Sequence, residues 1–133
     1  MKIVADSMVP FLEGVFEPYA EVIYRNGQDI TREDLVDADA LIVRTRTRCD
    51  ASLLEGTKVK IIASATIGLD HVDMDYCNEK GITVQNAEGC NAGGVMQYVF
   101  SALYGVASRK AIKLNDYVFG VIGVGNVGGR VAA

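Results

Sequence analysis

Three glycines near the carboxyl end of the sequence offer the clearest chemistry. Gly123, Gly125 and Gly128 form a GxGxxG pattern directly after the apolar run 118–122, which is predicted to be a strand. In dinucleotide-binding turns the first glycine permits a tight turn, the second lets the backbone approach a pyrophosphate, and the third lets the following helix pack closely. The pattern therefore predicts a dinucleotide-binding turn, and a simple strand-to-helix connection is the alternative.

A second candidate is the stretch in which Arg44, Arg46 and Arg48 alternate with Thr45 and Thr47. In an extended backbone the arginines and threonines would face opposite sides. Guanidinium groups bind carboxylates or phosphates, and threonine adds a hydroxyl donor. The stretch predicts an anion site at the end of the third strand, and a solvated charged loop is the alternative.

The end of the fourth predicted strand carries a third candidate. Thr66 and Gly68 could present a hydroxyl group and open backbone N–H groups to an anion. The alternative is a turn in which Gly68 has a positive φ and Asp73 caps the next helix. The two interpretations are compatible.

Structural roles are predicted for the other reactive side chains. His71 is the only histidine, and it lacks a clearly placed carboxylate partner for general base catalysis. Cys49, Cys77 and Cys90 are odd in number and have no CxxC spacing, which predicts reduced thiols with a packing or incidental role and no metal site. Asp6 ends the first strand, as in phospho-receiver domains, but the other strand ends lack the second aspartate and the lysine of such a site.

The elements that must position these groups alternate between short apolar runs and helical stretches, which indicates parallel α/β architecture. The predicted strands are 2–5, 21–24, 40–44, 59–65, 82–84 and 118–122. The first five suggest a flavodoxin-like parallel sheet, in which ligands lie at the carboxyl ends of the strands.

Helix signals fall between these runs. Short helices are predicted after the capping residues Asp50 and Asp73, and at a capping box of Thr31 with Asp34. Apolar residues at helical spacing predict a long helix over 92–108, with Asn91 as its cap. A helix over 10–19 is a weaker prediction, because Gly14 and Pro18 interrupt it.

The composition narrows the classes of function. Half of the 133 residues are hydrophobic, 23% are charged, and the net charge is −4, which fits a globular chain. The acidic balance argues against nucleic-acid binding, and no apolar run is long enough to span a membrane. The amino terminus does not resemble a signal peptide. A cytoplasmic protein without nucleic-acid or membrane partners is expected.

Several stretches resemble the D-isomer-specific 2-hydroxyacid dehydrogenases. They are 37–45, 65–73, 89–92, 97–101 and 121–128, and the resemblance extends over the whole chain. The most specific feature is Gly89-Cys90-Asn91-Ala92, which narrows the resemblance to a branch that oxidises a small phosphorylated 2-hydroxy acid.

The resemblance implies a flavodoxin-like substrate domain over 1–90, then the start of a Rossmann domain over 91–133, with its first long helix and its first strand and glycine turn. It implies a homodimeric enzyme that transfers a hydride from C2 of the substrate to NAD. With the arginine pattern, it assigns substrate contacts to Arg44, Thr45, Thr66, Ile67 and Gly68, and cofactor contacts to Val95, Gly123, Gly125, Asn126, Val127 and Gly128.

The family's catalytic arginine, glutamate and histidine are implied to lie beyond residue 133, as is the acidic residue that would hold the cofactor ribose. We therefore expect an amino-terminal fragment that is inactive alone. One alternative is a family member acting on another acid, such as 3-phosphoglycerate, since Thr45 stands where the family commonly has serine. The other is a non-catalytic flavodoxin-like binding module.

Overall fold

The computed structural model describes residues 1–133, which divide into two compact units, Met1–Ala87 and Glu88–Ala133. The first unit is built on five strands: β1 (Lys2–Asp6), β2 (Glu21–Arg25), β3 (Ala40–Val43), β4 (Ile61–Ser64) and β5 (Thr83–Asn86). All neighbouring strands pair in parallel, in the order β2-β1-β3-β4-β5. This is the flavodoxin-like order, so the predicted α/β fold class is confirmed.

Three short helices connect the later strands: α1 (Arg32–Leu35), α2 (Ala51–Leu54) and α3 (Met74–Lys80). Their predicted caps form. Thr31 N–H donates to the Asp34 carboxylate at 3.0 Å, and the carboxylates of Asp50 and Asp73 accept backbone N–H groups of their own first turns. Gly81 ends α3 with a φ of +68°, in the left-handed region that glycine adopts at little cost.

The core lies on both faces of the sheet, which explains why the central strands β3 and β4 are apolar almost throughout. On one face Val4, Leu41 and Ile62 pack with the residues of α1, α2 and α3. On the other face Ile3 and Ile42 pack against the connection between β1 and β2. Because β2 and β3 lie on opposite sides of β1, the direction of winding reverses at β1 and β3, the position where ligands bind in such sheets.

The second unit contains the long helix α4 (Ala92–Lys110), a 3₁₀ turn over Leu114–Asp116 and the short helix α5 (Gly128–Ala132). The prediction of α4 is confirmed. None of the helices combines the length and apolar character needed to cross a membrane.

The predicted strand 118–122 does not form. The segment has no regular structure, and Val118 and Ile122 are fully exposed. A strand needs hydrogen bonds to a neighbouring strand, and residues 88–133 contain none. The apolar residues of 118–122 therefore have the β-propensity that the prediction assumed, but the segment has no neighbouring strand to pair with.

Two helix predictions were also wrong in detail. The segment 10–19 forms a series of turns, because Phe11 and Gly14 have φ of +60° and +86°, which no α-helix accepts. Asn91 occupies the N-cap position of α4, but its side chain makes no capping bond, since its φ of −96° and ψ of 0° are not the extended geometry of a capping residue.

Differences at the strand ends are small but affect candidate residues. The third strand ends at Val43 and the fourth at Ser64, so Arg44 and Ala65 belong to the following loops. The stretch 44–48 is a turn rather than an extended segment, because Thr47 N–H bonds back to the Arg44 carbonyl at 3.3 Å. The extended backbone that would place the arginines and threonines on opposite sides is therefore absent.

A buried carboxylate ties these loops together. The side chain of Asp6 is fully buried at the end of β1, and it accepts the Met8 N–H at 2.9 Å and the Arg44 Nε–H at 2.9 Å. Arg44 follows β3, so the ion pair connects the two strands at which the winding reverses. A buried carboxylate is stable only when such partners are present.

Gly27, which follows β2, packs directly on this ion pair. A Cβ atom on Gly27 would lie 2.6 Å from Asp6 Oδ2 and 3.0 Å from Thr47 Oγ1. The Gly27 carbonyl also accepts a hydrogen bond from the buried Thr47 hydroxyl at 2.8 Å. Glycine is therefore required here by close approach.

Arg44→Met is expected to lower the free energy of unfolding by about 3 kcal/mol, because it leaves the buried Asp6 carboxylate without its countercharge. The matched control is Arg48→Met, which removes an ion pair whose arginine side chain is 85% exposed and should cost under about 1 kcal/mol. Urea unfolding followed by circular dichroism measures both values. Equal losses in the two variants would contradict the stated role of Arg44.

Gly27→Ala is expected to lower the free energy of unfolding by about 1–3 kcal/mol, because the new methyl group overpacks the Asp6 carboxylate. Gly105→Ala is the control, since its Cβ would have no neighbour within 4 Å and alanine favours a helix. The same urea titration applies. A Gly27→Ala variant as stable as the unaltered chain would refute the close packing.

Candidate functional site

The carboxyl edge of the sheet gathers most of the polar candidates in the first unit. Asp6, Ser64 and Asn86 are the last residues of β1, β4 and β5, and Arg44 directly follows β3. The register aligns Val43 with Ser64 and Ser64 with Asn86. Parallel strands thus bring side chains that are distant in sequence to one edge.

The predicted anion residues of the third strand end have different surroundings. Arg44 directs Nε, and less closely Nη2, at Asp6. Thr45 and Arg46 are exposed, and neither side chain makes a hydrogen bond or ion pair within the chain. Thr47 is buried and structural. Arg44 and Thr45 therefore remain side by side at the edge, with the Arg44 side chain held in place by a buried carboxylate.

The loop after β4 is organised by hydroxyl groups. Thr66 Oγ1 lies 2.8 Å from Ser64 Oγ and 3.4 Å from the Gly68 carbonyl oxygen. On the far side, Ser64 Oγ lies 3.2 Å from His71 Nε2. Ser64 is buried and Thr66 half-buried, so this chain of polar groups leads from the interior to the loop surface.

The neighbouring strand holds the backbone of the same loop. Asn86 Nδ2 donates to the Ile67 carbonyl at 2.8 Å, and Ala87 N–H donates to the Thr66 carbonyl at 3.2 Å. With these carbonyls occupied, the N–H groups of Ile67 and Gly68 donate to no group of the chain. Two adjacent free N–H groups beside a hydroxyl suit an anion such as a carboxylate.

Gly68 does not have the positive φ that was considered for it. A Cβ atom on Gly68 would lie 3.3 Å from Asp70 Oδ2, the end of an exposed and flexible side chain, so close packing does not require glycine here. The other part of that interpretation, Asp73 as the cap of α3, is correct.

His71 lies behind the loop rather than at its surface. Its Nδ1 is buried and has no hydrogen-bond partner. Burial lowers the pKa of His71, and the nearby Asp70 carboxylate opposes this shift more weakly. The imidazole is therefore held in its neutral form, which agrees with the predicted structural role.

All three cysteines are free, and the two buried ones, Cys49 and Cys77, are not activated. Burial raises the pKa of the Cys49 thiol to about 12 and also raises that of Cys77, so both remain protonated thiols at neutral pH. The proximity of Arg48 does not activate Cys49. The structure contains no group of three or more His, Cys, Asp or Glu side chains that could hold a metal ion.

The glycine turn of the second unit has steric requirements at two of its glycines. Gly123 has a φ of +87°, which favours glycine. A Cβ atom on Gly128, the first residue of α5, would collide with the Gly123 carbonyl oxygen. At Gly125 a Cβ would have no neighbour within 4 Å. The first and third glycines are therefore needed by the turn itself, and the second leaves its backbone open to approach.

The rest of the predicted cofactor set lies around this turn and on α4. Asn126 Nδ2 donates to Glu88 Oε1 at 3.0 Å, and the Asn126 side chain lies against Gly89. Val127 occupies the N-cap position of α5. Val95 is half-buried in α4. Asn126 therefore connects the turn to the segment that precedes α4.

Three residues that organise the loop after β4 were absent from the predicted site: Ser64, His71 and Asn86. A signal for Ser64 and Asn86 was available, because each ends a strand of a parallel sheet and ligands lie at that edge. The bond from His71 to Ser64 had no such signal, since it depends on how the loop folds back on itself.

Comparison with known proteins places these observations in a family. The sequence model described as "D-isomer specific 2-hydroxyacid dehydrogenase, catalytic domain" matches residues 2–116. The chain is 54% identical to an erythronate-4-phosphate dehydrogenase of Bacteroides fragilis and 43% identical to that of Porphyromonas gingivalis. These matches cover 99% and 98% of the chain but only 38% and 36% of the relatives. The chain thus spans little more than a third of their length.

Solved structures with the same fold include a 3-phosphoglycerate dehydrogenase of Entamoeba histolytica with bound NAD⁺, at 29% identity and a TM-score of 0.65. A D-lactate dehydrogenase of Aquifex aeolicus, complexed with NAD and lactic acid, has a TM-score of 0.73 at 23% identity. This chain aligns over 99% of its length with 49% and 47% of those chains. The sheet order, the glycine turn and the family match over 2–116 together establish that the chain belongs to the D-isomer-specific 2-hydroxyacid dehydrogenase family.

Proposed function

We propose that the chain is part of an NAD-dependent enzyme that oxidises 4-phospho-D-erythronate at C2 to the 2-oxo acid, a reaction of pyridoxal phosphate biosynthesis. The observation that carries the proposal is the loop 66–68, which offers a hydroxyl group and two free N–H groups at the carboxyl edge of the sheet. It occurs in a chain that is 54% identical, over 99% of its length, to an erythronate-4-phosphate dehydrogenase.

In this proposal the loop binds the carboxylate of the substrate. The N–H groups of Ile67 and Gly68 and the hydroxyl of Thr66 would donate to its oxygens, and charge-assisted bonds of this kind are the strong ones. The carbonyls of Thr66 and Ile67 are already occupied by Ala87 and Asn86. The loop therefore keeps its shape whether or not an anion is bound.

Arg44 and Thr45 would supply further substrate contacts from the neighbouring strand end. Arg44 bonds Asp6 through Nε and, more weakly, Nη2, so its Nη1 group is left for an anion. Because the guanidinium is held by a buried carboxylate, it loses little conformational freedom when a substrate binds.

The glycine turn fits a dinucleotide. The open approach at Gly125 and the tight turn at Gly123 support a phosphate contact there. Gly123, Gly125, Asn126, Val127 and Gly128 would hold the pyrophosphate, and Val95 would approach the nicotinamide. NAD, when bound, accepts the hydride from C2.

We also propose that the chain alone lacks the groups that move the proton of the substrate hydroxyl. His71 is the only histidine, it bonds Ser64 and its other nitrogen is buried, so it cannot act as the acid and base.

The complete enzyme is proposed to be a cytoplasmic homodimer.

A second candidate, within the same family, is the oxidation of 3-phosphoglycerate. The 29% identity to a 3-phosphoglycerate dehydrogenase of Entamoeba histolytica supports it less well than the 54% identity to the Bacteroides fragilis relative supports the first. A binding module without catalysis remains the alternative of another class, and it predicts anion binding independent of NAD.

Thr66→Val is expected to weaken binding of 4-phospho-D-erythronate to this chain by roughly tenfold or more, the loss of one hydrogen bond to a charged group. Isothermal calorimetry measures the affinity, with 3-phosphoglycerate as the competing acid. The matched control is Thr83→Val, at the exposed amino end of β5, which should not change binding. Equal affinity of both variants and the unaltered chain, or tighter binding of 3-phosphoglycerate, would refute the substrate assignment.

The 133-residue chain, mixed with NAD and 4-phospho-D-erythronate, is expected to give no absorbance from NADH. The reason is that His71, the only histidine, is held by Ser64 and has its other nitrogen buried. A polypeptide of the relatives' full length serves as the positive control. Turnover by the 133-residue chain would overturn this part of the proposal.

A further inference from the structure

The hydrogen bonds that join Thr66 to the groups behind it have a donor and an acceptor end, which follow from the chemistry of the groups. Thr66 Oγ1 lies 3.4 Å from the Gly68 carbonyl oxygen. A carbonyl oxygen can only accept, so the Thr66 hydroxyl donates its single proton toward it. With that proton on the carbonyl, Thr66 Oγ1 is the acceptor in its 2.8 Å contact with Ser64 Oγ and Ser64 is the donor, whereas the reverse direction would leave the Gly68 carbonyl without this bond.

The direction of the Ser64 bond also fixes the role of the histidine. In this direction the Ser64 proton is used on Thr66, so Ser64 Oγ accepts in its 3.2 Å contact with His71 Nε2. His71 then carries its proton on Nε2, and Nδ1 is the nitrogen without one. Nδ1 is the buried atom that lacks a partner, and leaving a bare acceptor there costs less than leaving a buried N–H or a charge unsatisfied.

The charges around the imidazole agree with a neutral ring. Arg48, Asp50, Asp70 and Asp73 line a cavity of about 170 Å³ beside His71. Arg48 is paired with Asp50 at 2.6 Å, and Asp73 caps α3. Only Asp70 favours the charged form, and burial outweighs it. The ring thus stays neutral, with a fixed tautomer.

From this geometry we infer that His71 and Ser64 are positioning residues for the substrate, forming a relay from His71 Nε2–H through Ser64 Oγ–H to Thr66. In this relay Ser64 donates a hydrogen bond to Thr66 Oγ1 from the protein interior. The Thr66 proton is then always directed outward, toward the Gly68 carbonyl in the free chain and toward the substrate carboxylate in the complex.

On binding, the Thr66 hydroxyl exchanges the Gly68 carbonyl for the substrate carboxylate. This exchange is favourable because the bond to the Gly68 carbonyl in the free chain is weak. At 3.4 Å the bond from Thr66 to the Gly68 carbonyl is longer than an ordinary O–H···O bond. A carboxylate oxygen is a stronger acceptor than a carbonyl. A hydroxyl without the Ser64 bond would instead be free to rotate, and ordering it would oppose binding.

The inference rests on the proposed function for its ligand, but its tautomer can be tested without one. His71 is the sole histidine, so a two-bond ¹H–¹⁵N correlation spectrum reports on it alone. The Nε2–H tautomer is expected in the unaltered chain at neutral pH. The Nδ1–H tautomer would overturn the relay.

The affinity test uses a double-mutant cycle. Ser64→Ala is expected to weaken 4-phospho-D-erythronate binding by roughly fivefold, the value of one neutral hydrogen bond. In a Thr66→Val background the same change should have almost no effect, because there is no hydroxyl left to orient. An equal loss in both backgrounds would overturn the relay, since it would show a merely structural role for Ser64.

A comparison at position 71 separates hydrogen bonding from packing. His71→Gln retains an N–H donor and is expected to keep most of the affinity, whereas His71→Leu should match Ser64→Ala. Equal losses in both His71 variants would contradict the relay. If the unaltered chain binds no 4-phospho-D-erythronate, the proposed function fails, and the tautomer still decides the relay independently.

Discussion

The first unit depends on the ion pair and hydrogen bond that the fully buried Asp6 carboxylate makes with its neighbours. This carboxylate lies where the winding of the sheet reverses, and Arg44, Met8 N–H and the backbone of Gly27 close around it. A charge can remain inside a protein only when its partners are held in place. The requirement fixes the loops after β1, β2 and β3 together, and it places Arg44 at the edge where ligands bind.

The polar groups of the loop after β4 also need hydrogen-bond partners, and here the partners are uncharged. The carbonyls of this loop are satisfied by Asn86 and Ala87, and its hydroxyl is supported by Ser64 and His71. What remains unsatisfied is a set of donors that face outward. A site that binds an anion needs this asymmetry, because donors left free in the resting state cost little when water can reach them.

Sequence reasoning predicted those parts of the molecule that local chemistry determines. The caps at Asp50 and Asp73, the five parallel strands and the long helix from Ala92 follow from spacing and residue type, and all are confirmed. The strand at 118–122 failed because pairing is not a local property. The turn at 44–48 could not be read from the sequence, because the bond from the Thr47 hydroxyl to the Gly27 carbonyl joins residues distant in sequence. The contact between His71 and Ser64 was hidden for the same reason.

The central claim is that the free N–H groups of the loop 66–68 bind the substrate carboxylate. A ¹H–¹⁵N correlation spectrum of the 133-residue chain, titrated with 4-phospho-D-erythronate, tests it residue by residue. We expect the amide signals of Ile67 and Gly68 to move the most within residues 1–87, with D-erythronate producing the same pattern and inorganic phosphate leaving these two signals in place. Unmoved signals of Ile67 and Gly68 at saturating acid would contradict the account.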